Sequence, residues 1–388
     1  MSIPKQKLSA KILTLNTKCA NIVFAINKAT YQRSIPKVMC NIAGYVGNKN
    51  AAPILIEMLR REEGFDAGYY TGIATLHEGK IYYRKVAGDL DTLLKKTDAI
   101  SLPGNIGIIH SRTPSGGPDE WAHPFVSCGT NAKEPIIAYV ANGNSGVFKE
   151  RDPEYNGYAE ELMKSGYTLD SEIDFPDGIY NRLSNGKMVH MSDVMCALIA
   201  SEIDRGADPC NAITNAFCKM PGEIVGLLLS LNTPDKITYS KINRPMFLSF
   251  ASHGAYLATT AIAHLDDAGD PINLPELSSG YVTASGFTSQ KYPTPPIEVT
   301  VADAKIEHDA YDLIVKMLSE GRELTFNDLK IHHLFPKKEG AVVSRVRVMY
   351  SVLHSLYREG RLEIKSYTLP GAVEGTTAKL FKLKLKDK

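Results

Sequence analysis

Met39-Cys40-Asn41-Ile42-Ala43-Gly44-Tyr45-Val46-Gly47 sets a thiol directly in front of an apolar, strand-like run. If Cys40 becomes the first residue of the working protein, one residue supplies both a thiol nucleophile and a free α-amine to act as its base. The α-amine titrates at about 7.7–8.0 and a free thiol at about 8.5, so one can accept the other's proton near neutrality. A cysteine at the start of a strand is otherwise inert packing. The residues downstream decide between the two.

Composition sets broad bounds. The chain has 388 residues, 44% hydrophobic and 22% charged, with a formal net charge of +1, which is ordinary for a globular protein of two or three domains. Nothing in the overall charge demands nucleic acid or membrane. Six cysteines are scattered without CxxC spacing, against both a disulfide framework and a structural zinc site. A reducing, cytoplasmic setting fits, and neither metal nor cofactor is expected. No apolar run approaches the roughly 18 residues of a membrane-spanning helix.

Residues 1–39 carry seven Lys/Arg and no Asp or Glu. They read as a targeting peptide, a propeptide cut before Cys40, or an upstream extension of a protein that starts at Met39. The last two are favoured, and either exposes the Cys40 amine. From 40 to about 265, strand-like runs fall at 42–46, 72–76, 80–84, 105–109, 136–141 and 224–230. Helical spacing appears at Ile54, Leu55, Met58 and Leu59, over 158–163, and over 194–203, with Asp193 as its N-cap. Strands and helices do not alternate strictly, which predicts stacked, mostly antiparallel sheets with helices outside.

Residues 266–300 are rich in Pro, Gly, Ser and Thr and read as a linker. Over 301–388, helices at 306–319, 325–334 and 341–358 and strands at 361–367 and 379–385 give a winged-helix order. This segment has 16 Lys/Arg against 12 Asp/Glu. Such folds serve DNA and protein contacts alike.

Two short stretches add chemistry to Cys40. His110-Ser111-Arg112-Thr113-Pro114-Ser115 carries an arginine from a strand end into a small-residue loop, and a planar guanidinium suits a bidentate grip on an α-carboxylate. Asn142-Gly143 offers a side-chain amide and an unhindered N–H to one oxygen, which is how an oxyanion hole is commonly built. Singly, each has a bland reading as a turn or a solvated arginine.

Taken in order, Cys40 to Gly47, Gly64-Phe65-Asp66, Gly72-Ile73-Ala74, His110-Ser111-Arg112, Ala122-His123-Pro124, Asn142-Gly143 and Gly166-Tyr167-Thr168 with Ser171-Glu172-Ile173-Asp174 resemble the class II glutamine amidotransferase domain. This is an N-terminal-nucleophile hydrolase, and the likeness is greatest to the glucosamine-fructose-6-phosphate aminotransferases. The resemblance implies an α+β, four-layer αββα sandwich over 40–265 that hydrolyses the glutamine side-chain amide. It implies that Cys40 attacks the amide carbon, that Asn142 and Gly143 hold the oxyanion, and that Arg112, with Thr113 and Ser115 in its loop, binds glutamine. Asp174 or Asp193 receives the glutamine amino group, Asp174 following the better-matching string. The family usually has Gly, Arg, Trp, His and His where this chain has Asn41, Glu63, Thr113, Gly116 and Ala141, so the pocket wall is altered.

After residue 265 about 120 residues remain, too few for the paired sugar-isomerase domains of the aminosugar enzymes. The ammonia acceptor is therefore expected on another chain, a synthase or acceptor-domain subunit docked by the winged helix, and a homo-oligomer is open. The alternative is a glutamine-sensing regulator that binds DNA through 301–388, with Arg345, Arg347 and Lys337-Lys338 near phosphate.

Overall fold

Along β1 (Asn41–Gly47) apolar residues leave both faces of the strand, and the two faces enter different cores. The computed structural model describes residues 40–114, 117–175, 180, 182–335 and 340–386. After β1, Asn50 caps α1 (Ala51–Glu62) by accepting from the Ala52 N–H. The hairpin β2 (Tyr70–His77) and β3 (Lys80–Ala87) follows, then α2 (Leu90–Lys96), capped by Asp89. β4 (Ile106–Arg112) ends where Pro114, with no N–H to give, leaves the ladder.

Next come β5 (Phe125–Ser127), β6 (Ile137–Asn144), the helices α3 (Asp152–Lys164), α4 (Met191–Asp204) and α5 (Pro209–Lys219), and then β7 (Glu223–Ser230) and β8 (Ile237–Lys241). The chain continues through β9 (Phe247–Ala251), β10 (Gly254–Ala258), β11 (Ile272–Asn273), β12 (Ser278–Thr283), β13 (Gly286–Phe287) and β14 (Gln290–Lys291). Last come β15 (Glu298–Thr300), α6 (Ala304–Ser319), β16 (Ala341–Val343), α7 (Arg345–Arg358), β17 (Leu362–Pro370) and β18 (Thr377–Leu385).

Among the described residues, one antiparallel sheet runs β11-β9-β10-β1-β4-β2-β3 and another β13-β12-β8-β7-β6-β5, with β14 beside β12. Ile42, Val46, Ala74 and Ile108 of the first sheet and Val140, Val225, Leu227 and Tyr239 of the second share one core. The alternate residues Ala43, Tyr45, Ile73 and Ile109 pack instead under α1 and α2, with Leu55, Met58, Leu59 and Leu93. A one-residue slip of β1 would exchange the two sets, so burial on both faces fixes its register. Each buried Ile, Val or Leu contributes roughly 1.5–3 kcal/mol to that choice. The outer face of the second sheet, through Tyr139 and Leu228, meets α3, α4 and α5 at Tyr155, Val194, Leu198 and Phe217.

Four expectations are corrected. Residues 266–300 do not run as a linker: β12 adds to β8 through Gly280↔Tyr239, and β11 adds to β9, because Tyr281, Val282 and Thr283 favour extended chain and a neighbouring strand edge receives them. The helix expected over 325–334 is two 3-10 turns, Phe326–Asp328 and His332–Leu334. In place of a helix from 341, β16 pairs parallel with β15 before α7 begins at Arg345, since Ala341-Val342-Val343 favours extended chain. His190 rather than Asp193 caps α4, which begins at Met191 and leaves Asp193 in its first turn.

Residues Met39–Lys388 form one compact unit. The apolar core of the C-terminal segment, including Ile314, Leu353, Leu356 and Leu383, is continuous with Phe65, Phe247 and Ile262 of the preceding part. Gly64 makes this approach possible, because a Cβ there would lie 2.3 Å from the Phe381 ring.

Candidate active site

Cys40 precedes β1 and is buried. Its neighbour Asn41 pairs with Ser111 on β4, which brings the end of that strand, Arg112 and Thr113, alongside the thiol. The residue before a proline is held extended, and the Thr113 N–H faces the Cys40 thiol. Burial pushes the Cys40 thiol up; the Thr113 N–H and hydroxyl, the charge of Arg112 and the Gly143 N–H pull the other way without overcoming it. The thiol therefore rests protonated, and nucleophilic work at this position needs a base.

Gly143 lies in β6 opposite Ile224 of β7 with φ of 133°, and a Cβ there would sit 2.0 Å from the Glu223 carbonyl oxygen. Only glycine keeps that backbone, and that backbone aims the N–H at the sulfur. Beside it, Asn142 is fully buried, its Nδ2 donates to Thr259 Oγ1 at 3.4 Å, and its Oδ1 is unsatisfied. Thr259 Oγ1 also accepts from the Ile42 N–H at 2.9 Å, tying the Asn142 amide to the strand that carries Cys40.

Arg112 is buried with its guanidinium 4.0 Å from the Tyr70 ring centroid, and it donates to the Trp121 carbonyl at 2.5 Å. The Trp121 indole N–H donates to the Ser171 carbonyl at 2.8 Å, and Ser171 donates through its N–H and hydroxyl to Asp193 Oδ2 at 2.8 and 2.7 Å. Burial pushes the Asp193 carboxyl up to about 6 despite the bonds from Ser171. Asp193 is thereby linked to Arg112 through two intervening residues. Asp174 is not part of that chain; its side chain is 75% exposed and pairs with Arg182 at 3.0 Å. Ser115 lies outside the described residues, as do Lys337 and Lys338.

Three neighbours of the site escaped the sequence. Trp121 is the only tryptophan of the chain and stands two residues before the His123-Pro124 string, a signal that was available. Thr259 gave none. Nor did Arg244, which is partly buried, donates to the Glu223 carbonyl at 2.9 Å and lies within electrostatic reach of Cys40 and of Arg345. Arg347 is buried and bonded to Glu307 at 2.6 Å. Among the described residues, no group of three or more His, Cys, Asp or Glu is placed to hold a metal ion. His110, His123 and His190 are clustered, His123 tilted against His110 at 3.9 Å between ring centroids and edge-on to His190 at 5.3 Å, and burial holds all three well below the usual imidazole range.

The chain resembles one class of protein, the class II glutamine amidotransferases. In particular, it is similar to enzymes named glutamine–fructose-6-phosphate aminotransferase [isomerizing]. The one from Pyrococcus horikoshii is 28% identical over 254 residues, 64% of this chain and 37% of the relative. The one from Zymomonas mobilis is 27% identical over 227 residues, 58% and 32% of the two chains. The chain thus spans about a third of the length of the curated relatives it matches. No protein-family model matches it.

Solved structures agree on the fold. The glutamine phosphoribosylpyrophosphate amidotransferase of B. subtilis superposes with a TM-score of 0.53 at 14% identity, covering 84% of this chain and 66% of that one. An allosteric regulatory enzyme of purine biosynthesis gives a TM-score of 0.54 at 16% identity, covering 73% and 58%.

Proposed function

We propose that this chain hydrolyses the side-chain amide of glutamine and releases ammonia, with Cys40 as an N-terminal nucleophile. The observation that carries the reading is the convergence on one buried thiol of the Gly143 N–H, the Thr113 N–H and hydroxyl and the Arg112 charge. The Cys40 α-amine takes the thiol proton, and the thiolate attacks the amide carbon. The Gly143 N–H and the Asn142 Nδ2 hold the oxyanion that forms. Its collapse breaks the C–N bond, with the ammonium form of the amine protonating the departing nitrogen. Water, losing its proton to the same amine, then cleaves the thioester to give glutamate and the free thiol.

Arg112 receives the glutamine carboxylate, with Thr113 and Ser115 in the same loop. Of the two aspartates, the buried Asp193 joined to Arg112 through Trp121 and Ser171 is the better receiver of the amino group. The arrangement of the cores supports an αββα layering over 40–265, and the order α6, turns, β16, α7, β17, β18 supports a winged helix. The acceptor of the ammonia lies on another chain or domain. The described cysteines are free thiols, in keeping with a cytoplasmic setting, and no helix among the described residues is long and apolar enough to cross a membrane.

Protein beginning at Cys40 is expected to release ammonia from glutamine, and Cys40→Ala to release none above background. Equal release by the two proteins overturns the reading. A chain that still carries residues 1–39 has an amide in place of the base and is expected to be inactive.

A further inference from the structure

Successive side chains of a strand leave opposite faces, so Cys40 and Asn41 point apart. Ile42 and Val46, in phase with Cys40, enter the core between the sheets; Ala43 and Tyr45, in phase with Asn41, pack toward α1. What Asn41 meets on that side is polar. Asn41 and Glu62, the last residue of α1, are both fully buried, and neither the Asn41 amide nor either Glu62 carboxyl oxygen makes a hydrogen bond of normal geometry. They nevertheless face one another, with the Thr260 N–H turned toward the carboxyl, while the Thr259 N–H donates to the Ile42 carbonyl at 3.0 Å.

The third wall of this pocket is Tyr350 of α7. Its hydroxyl, also buried and unsatisfied, faces Asn41, and its ring is stacked on Phe326 at 4.5 Å and edge-on to Phe65 at 5.7 Å. Three side chains therefore bring five unsatisfied polar atoms together, one residue from the thiol. Each such atom costs about 1–3 kcal/mol, so the fold holds this polar cluster together against its own stability. Burial keeps the Glu62 carboxyl protonated well above its ordinary range, so it can donate as well as accept. The same stretch is gripped twice more by the C-terminal segment, where Lys379 meets Glu63 at 3.3 Å and Asn327 donates to Asp66.

We propose that Glu62 and Tyr350 are positioning residues for Cys40: through Asn41 they fix the first residues of β1, so the C-terminal segment sets the reactivity of a nucleophile it does not touch. The proposal deepens the amidotransferase reading and rests on it. A nucleophile displaced by a fraction of an ångström loses most of its advantage, whereas the glutamine contacts of Arg112 on the other face are unaltered.

The test uses full protein beginning at Cys40 and two readouts, glutamine hydrolysis and alkylation of Cys40 by iodoacetamide. Tyr350→Phe and Glu62→Gln are each expected to lower kcat about tenfold with KM within about twofold, and to slow alkylation in parallel. Tyr350→Phe removes one unsatisfied oxygen, so its melting temperature is expected to hold or rise while kcat falls, which a merely structural role does not produce. The double variant is expected to be no worse than the poorer single one, because both act through Asn41.

Thr377→Ala serves as control. It removes a different contact of the same segment, Thr377 Oγ1 to Asp89 Oδ2 at 2.7 Å, and is expected to change neither rate. Wild-type kcat and alkylation in both Tyr350→Phe and Glu62→Gln overturn the proposal, as does an equal loss in Thr377→Ala. Should one of the two variants fail to fold, the other decides. If the wild type releases no ammonia while alkylation still responds to both variants, the amidotransferase reading fails and the positioning role stands.

Discussion

The two faces of β1 are built from different materials. On the Cys40 side the thiol meets the Thr113 and Gly143 N–H groups, and the nearby charges are guanidinium groups, Arg112 and Arg244. On the Asn41 side the segment 62–66 brings three carboxyls, Glu62, Glu63 and Asp66, into the interior, and burial pushes each of them up. The first face is ready to stabilise negative charge as it develops; the second suppresses it. A fixed backbone donor needs no reorganisation when an oxyanion forms, while a buried carboxyl resists ionisation and prefers a neutral, hydrogen-bonded state. The contrast places the proposed chemistry on one side of the strand and the packing of the C-terminal segment on the other.

The reactive face breaks most sharply at Gly143. In Gly143→Ala the new Cβ cannot lie 2.0 Å from the Glu223 carbonyl, so the backbone must turn and take the N–H away from the sulfur. We expect kcat for ammonia release to fall about 10²- to 10³-fold with a much smaller change in KM. A loss under tenfold, measured in steady state, removes Gly143 from the oxyanion site.

The same contrast explains what could be read from the chain. β1, β2, β3, β4, β6 and β7 were expected within a few residues of where they lie, because their Ile, Val, Tyr and Leu runs are bounded by Gly, Pro and Asn. The Cys40 face was legible too, since Arg112, Thr113, Asn142 and Gly143 stand at strand ends in recognisable strings. The Asn41 face was not. Glu62 and Glu63 stand at the end of a helix recognisable only by its apolar Ile54, Leu55, Met58 and Leu59, and nothing local to them announces Tyr350 or Lys379, roughly 300 residues on. The apparent linker failed for a related reason: Pro and Gly near 275–296 mark turns, but the short strands between them are recruited by sheet edges far away in sequence. Asp174 drew attention because it ends a matching string, whereas the link from Asp193 to Arg112 exists only in three dimensions.

The docking face should betray itself through pH. Glu63 is fully buried, accepts from the Leu90 N–H at 3.0 Å and pairs with Lys379, yet burial prevails and moves its carboxyl from 4.5 to about 7. The folded protein thus holds a proton that the unfolded chain releases near pH 4.5. The contribution to stability is complete below that pH, declines as pH rises from about 4.5 to about 7, and is constant above. At most about 3 kcal/mol is tied to pH in this way. Glu63→Gln has no proton to lose and keeps an acceptor for Leu90, and Asp91, 3.0 Å from Lys379, still balances that charge. Urea midpoints at pH 5 and pH 8 are expected to differ less in the variant than in the wild type. An unchanged difference means that Glu63 does not carry the proton.

The smallest perturbation asks whether the two faces are independent. Gly64→Ala adds one methyl where the Phe381 ring lies 2.3 Å from an ideal Cβ, and an aromatic ring locked edge-on to Phe65 at 5.2 Å cannot swing aside as a flexible chain would. The C-terminal strand must retreat slightly, at a cost of about 1–3 kcal/mol in the urea midpoint, as for other overpacked sites. No atom of Gly64 reaches the thiol, so a site defined by backbone donors alone keeps its kcat. If Tyr350 holds Asn41 in place, the retreat that loosens Phe381 also loosens Tyr350, because both pack on Phe65. Then kcat falls with KM preserved, and Cys40 alkylation slows with it. Lost stability with full kcat means instead that the C-terminal segment is carried by this face of β1 without acting on the other.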